Sequence, residues 1–111
     1  MKIGFYHSCF ANWDLEKTFD WAKANGFFGI ELHGGVRYKF INWKEQADGK
    51  DTAGFGRLQE KYGIPIIGIM HGAIPYLSPD PEKRKEAVET IEMLIKAAAH
   101  SGIKVVSTFT G

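Results

Sequence analysis

The apolar run Ile64–Met70 constrains this chain more than any other stretch. It is rich in β-branched isoleucine, free of charge and too short for an isolated helix. A run of that kind is how a strand covered on both faces of a parallel sheet looks. It ends abruptly in His71-Gly72, followed by a loop with Pro75 and Pro79 and then Asp80-Pro81-Glu82. Asp at the N-cap, Pro at the first helical position and Glu in the first turn mark a helix start. A buried strand therefore delivers a histidine into a loop, and a helix leads back. In βα architectures, ligands and chemistry gather at the carboxyl ends of strands. His71 is the first residue to single out.

The rest of the chain repeats this unit. Ile3–Tyr6 reads as a first strand ending in His7-Ser8-Cys9-Phe10. Asn12 is the expected N-cap of the next helix, with Asp14 and Glu16 at its positive end and Leu15, Phe19 and Ala22 facing the sheet. Phe28–Leu32 is a second strand, with Glu31 near its end and His33-Gly34-Gly35 opening a loop. The segment 36–51 is mixed and aromatic, without a clean period, and is expected to be a long loop. A helix from Thr52 or Ala53 to Tyr62 follows, carrying Phe55, Leu58 and Tyr62 on one face. After the Ile64–Met70 strand, a helix over Pro81–His100 has Val88, Ile91, Ile95 and Ala98 as its apolar stripe, and Ile103–Phe109 is a fourth strand ending in Thr110-Gly111. Asn25-Gly26-Phe27, Tyr62-Gly63-Ile64 and Ser101-Gly102-Ile103 each place a helix-ending glycine before an apolar strand start. The order β-α-β-α-β-α-β implies right-handed crossovers and a parallel α/β sheet.

Charge and cysteine content narrow the class. The 111 residues carry a formal net charge of +1, with acid and base interleaved as in Glu82-Lys83-Arg84-Lys85-Glu86. That gives no field to draw in nucleic acid or an anionic membrane. Cys9 is the single cysteine, which fits a reducing compartment, and it lacks a partner that would make it a nucleophile. No apolar stretch approaches a membrane span, and Met1-Lys2 does not open a signal peptide. A soluble, cytoplasmic protein is expected.

The fourth strand has no helix after it, and parallel strands are normally covered on both sides. The expected architecture is the first half of a (β/α)8 barrel over residues 1–111, with about four strands and three helices. The competing arrangement, a compact four-stranded doubly wound domain, predicts a glycine-rich phosphate loop after the first strand. His7-Ser8-Cys9-Phe10 is unlike that loop.

The segments MKIGFYHSCF, GFFGIELHGG, GIMHG with LSPDPEKRKEAVE, and GIKVVSTFTG together resemble the sugar phosphate isomerase/epimerase family. That family has the xylose isomerase-like TIM barrel and also includes the endonuclease IV-type apurinic endonucleases. The resemblance covers the amino-terminal half of a family barrel. It implies isomerisation or epimerisation of a sugar or sugar phosphate, with a divalent metal (Mn, Mg, Co or Zn) gripping substrate oxygens while carboxylates move a proton next to the carbonyl. In the epimerase branch two Glu, an Asp and a His from later strands hold that metal, at positions that do not occur in this sequence, so metal binding by these residues alone is not expected. The endonuclease branch places a zinc-binding His at the end of the fourth strand, where Ser107-Thr108-Phe109-Thr110 has none.

Their strand-end positions make His71 and Glu31 candidate catalytic residues; the resemblance matches His71 to the family's histidine after the third strand and implies metal ligation as a further role. His7, Phe10, Trp13 and His33 are candidate substrate-binding residues. Each has a simpler reading: His71 satisfied by loop backbone, Glu31 in a buried ion pair, His33 in a turn, and Phe10 and Trp13 as core. His100 reads as a helix-end residue favourable to the dipole. A third reading is non-catalytic, with two copies of the chain supplying the eight strands of a closed barrel as a homodimer.

Overall fold

A computed structural model describes residues 1–109. Strand β1 (Gly4–Tyr6) runs into a short 3-10 turn (His7–Phe10) and helix α1 (Leu15–Ala24). Then come β2 (Gly29–His33), α2 (Trp43–Ala47), α3 (Phe55–Tyr62), β3 (Ile66–His71), α4 (Pro81–Ser101) and β4 (Val106–Thr108). The strands form one parallel sheet in the order β1-β2-β3-β4. Four parallel strands with helices between them are half of a TIM-type barrel. Thr110 and Gly111, expected at the end of the fourth strand, lie outside the described residues.

Each strand begins later than its apolar run, for a reason visible at the turns. Gly26, Gly63 and Gly102 all hold positive φ, at 73°, 64° and 70°. The residue after two of them still serves the helix: Phe27 N–H donates to Ala22 O at 3.0 Å and Ile103 N–H to Ala98 O at 2.9 Å. These are the helix-closing bonds of a Schellman turn, so pairing with the sheet starts beyond them.

Several expected boundaries and faces differ. The N-cap of α1 is Asp14, which accepts from Lys17 N–H at 2.8 Å, and not Asn12. The segment 36–51 contains α2, so the helices number four, not three, among the described residues. Asn42 caps α2, and Trp43 and Gln46 are buried beneath it. Helix α3 starts at Phe55 because the Asp51 carboxylate accepts from Phe55 and Gly56 N–H at 2.9 and 3.3 Å.

On α4 the buried residues are Ala87, Leu94, Ala97 and Ala98. Val88 and Ile95, expected on the core face, are 49% and 52% exposed. Small alanines let α4 approach its neighbours closely, and this turns the larger residues to the flank. The core joins Phe19 and Ala22 of α1, Ile30 and Leu32 of β2, Ile69 of β3 and Leu94 of α4. No helix among the described residues is long and apolar enough to cross a membrane.

Candidate functional site

Strand register sorts the side chains into two faces, because residues paired across parallel strands point the same way and alternate along each strand. Ile30 and Leu32 face the helices in the core, so Glu31 and His33 face the inner side of the sheet. Tyr6 pairs with Glu31 and Glu31 with Gly68, which makes one inner row. His33 pairs with Met70 and Met70 with Ser107, which makes the next. The register slips between Ile30 and Glu31, so Ile67 is an extra residue in β3, a bulge.

That bulge decides where His71 goes. Alternation from Ile66 alone would turn His71 inward. With Ile67 bulged, Met70 takes the inner position and His71 shares the side of Ile69. A β-carbon built on Gly34 would lie 2.8 Å from Leu94 and 3.3 Å from the His71 Cβ, which places the base of His71 on the helix side. Its ring still meets His33 at the rim, with centroids 5.8 Å apart. The His71 Nδ1 is buried with no hydrogen-bond partner among the described residues. The His71 carbonyl accepts from Thr108 Oγ1 at 2.8 Å, which ties the end of β3 to β4.

Glu31 lies on the inner face, and its Oε2 accepts from Ser107 Oγ at 3.5 Å. Gly68 leaves it room, since a β-carbon there would sit 3.4 Å from the same oxygen.

His33 is held from two sides. The Tyr6 hydroxyl meets its Nδ1, and its backbone N–H donates to His7 Nδ1 at 2.8 Å. His7 itself is fully enclosed, its ring packed edge-on with Tyr38 at 4.4 Å. The Tyr38 hydroxyl donates to Trp13 O at 2.8 Å, and burial holds its ionisation well above the usual phenol range.

Burial depresses all three imidazoles below the ordinary 6.5. His7 falls to about 4, by desolvation and then by the neighbouring His33. For His33 the second cause is Arg37, and for His71 it is His33. At neutral pH the cluster is uncharged and presents hydrogen-bonding imidazoles beside one carboxylate.

The structure thus gathers Glu31, His33 and His71 at the carboxyl ends of β2 and β3, with His7 beneath. Phe10 and Trp13 lie apart from them. They stack on each other at 4.3 Å, and Phe10 meets Phe5 and Trp21 in an aromatic cluster on the helix side of β1. Tyr6 and Ser107, which touch His33 and Glu31, escaped the sequence reading. Tyr6 carries one available signal: it alternates with Phe5 in a strand whose apolar neighbours favour the opposite face.

Parallel βα units with polar groups converging at the strand ends are the arrangement of a TIM-type barrel. The chain belongs to the xylose isomerase-like TIM barrel family, whose sequence model matches residues 19–111. The apo crystal structure of a 3-keto-D-glucoside 4-epimerase from E. coli is similar to it, with a TM-score of 0.69 and 22% identity. The match covers 96% of this chain and 36% of the epimerase chain, and at that identity the likeness is one of fold. No curated protein sequence matches the chain significantly.

Proposed function

We propose that this chain supplies the strand-end rim of a sugar site in an isomerase or epimerase that moves a proton at a carbon next to a carbonyl. The observation that supports this reading most is the placement of Glu31 on the inner face, one alternation from His33, with the His71 ring at the rim. Glu31 is the proton-transfer group: a carboxylate placed against an acidified C–H serves as base and returns the proton as acid. His33 and His71 hydrogen-bond sugar oxygens. His7 positions His33, while Phe10 and Trp13 support the β1 end from the helix side.

Among the described residues, no group of three or more His, Cys, Asp and Glu is placed to hold a metal ion. His71 belongs to no such group. Sugar or sugar phosphate remains the proposed substrate class.

The test is proton exchange. Incubated in D2O with a ketohexose, with Mn2+ present or absent, the protein should place deuterium on the carbon adjacent to the carbonyl. The rate should fall by about 10²–10⁴ in Glu31→Gln. Equal incorporation by both proteins would remove Glu31 from the chemistry.

A second reading rests on the flank. Val88 and Ile95 of α4 are exposed, and the outer edge of β4 is unpaired among the described residues. Further βα units cover such a flank in a barrel. A second copy meeting it with its own β1 edge would make eight strands without adding new chemistry.

A further inference from the structure

We propose that Tyr6 holds the His33 ring in a single neutral tautomer, with its Nε2–H free to donate to a substrate oxygen, while His7 anchors the His33 backbone. The His33 backbone N–H can only donate, so the His7 Nδ1 that receives it at 2.8 Å carries no proton, and neutral His7 is protonated on Nε2. That nitrogen is buried without a partner, an arrangement that stability alone does not favour.

The His33 ring has its own partner in Tyr6. Burial raises the Tyr6 phenol above its ordinary value, against an opposing hydrogen bond from Ser8 and with a smaller push from Glu31, and keeps it protonated. Its proton has two acceptors in reach, His33 Nδ1 in a short contact and Met70 O at 3.4 Å. Donation to the closer acceptor leaves Nδ1 bare and places the ring proton on Nε2, whereas donation to Met70 O would make Nδ1–H the donor to the phenol oxygen, the opposite tautomer.

His33 Nε2 has no hydrogen bond to the described residues and is not among their enclosed atoms. It lies over Gly35: a β-carbon there would sit 2.5 Å from Nε2, so any larger residue would displace the ring. Two consecutive residues at the end of β1 and a glycine past β2 therefore aim one N–H at the open rim. Tyr6 and His7 are positioning residues, since they act through His33. The identity of the acceptor as a sugar oxygen rests on the function proposed above, but the tautomer does not.

The test is long-range ¹⁵N–¹H correlation NMR of the histidine rings in the ligand-free protein at pH 8. Expected are a pyridine-like Nδ1 and a pyrrole-like Nε2 for both His7 and His33. In Tyr6→Phe the His33 ring should lose this single state and show averaged nitrogen shifts, while the distant His100 signals stay unchanged and report an intact fold. Gly35→Ala, which keeps the hydroxyl but crowds the ring, should give the same loss. A pyrrole-like Nδ1 on His33, or an unchanged tautomer in both variants, would overturn the clamp. Sugar binding plays no part in these readouts, so failure here is distinct from failure of the sugar-site reading.

Discussion

Phe19→Ala is expected to destabilise the fold by about 3–5 kcal/mol, the usual cost of deleting a fully buried phenyl ring. Phe19 has no exposed surface and sits on α1 at the centre of the helix–sheet core, with the Tyr62 ring of α3 at 6.0 Å. Leu15, Ala22, Ile30 and Leu58 of the same core are held on regular elements, which limits how far the space can close. Against a whole-domain stability of about 5–15 kcal/mol, such a loss brings the chain close to unfolding at room temperature. Urea unfolding followed by far-UV circular dichroism measures it. A midpoint equal to that of the parent protein would mean that α1 is not docked as described.

Acid should destabilise the protein through His7. Its folded-state pKa is about 4, against 6.5 for the free side chain. The unfolded chain therefore binds the proton first. The stabilisation is fully present above pH 6.5 and is lost as pH falls from 6.5 towards 4, with stability rising with pH across that window. The full difference corresponds to about 3 kcal/mol. The groups facing the ring are His33, whose charge would add to the penalty, and the neutral Tyr38 phenol.

His7→Asn keeps an acceptor for the His33 N–H and removes the titration. It should lower stability at pH 7 while flattening the slope between pH 4 and 6.5. His33 and His71 are also depressed and leave a smaller residual slope. Denaturant midpoints measured across that range decide the matter, and an unchanged slope in the variant would clear His7 of the role.

Much of the fold could be read from single residues whose chemistry admits few alternatives. Asp80-Pro81 starts α4 where expected, with the Asp80 side chain accepting from Glu82 N–H at 3.0 Å. The three helix-ending glycines hold the left-handed backbone that their positions implied. What could not be read depends on partners. Helix α4 is apolar on more than one side, and its neighbours select the alanine face and leave Val88 and Ile95 out. Helix α2 is five residues long and is made by burial of Trp43 and Gln46, not by any local period.

The site was legible in its residue types and strand ends but not in its orientation. A single bulge at Ile67 exchanges the faces of Met70 and His71. The Tyr6–His33 contact links residues 27 positions apart, and only strand register brings them together.

The proposed sugar site at these strand ends is tested by following the histidine ring resonances during titration with a ketohexose and with its phosphate ester. His33 and His71 are expected to shift together and saturate, while His100, beside Gly49 at the carboxyl end of α4, does not move. Rings that stay still with both sugars, or His100 shifting in step with them, would contradict it.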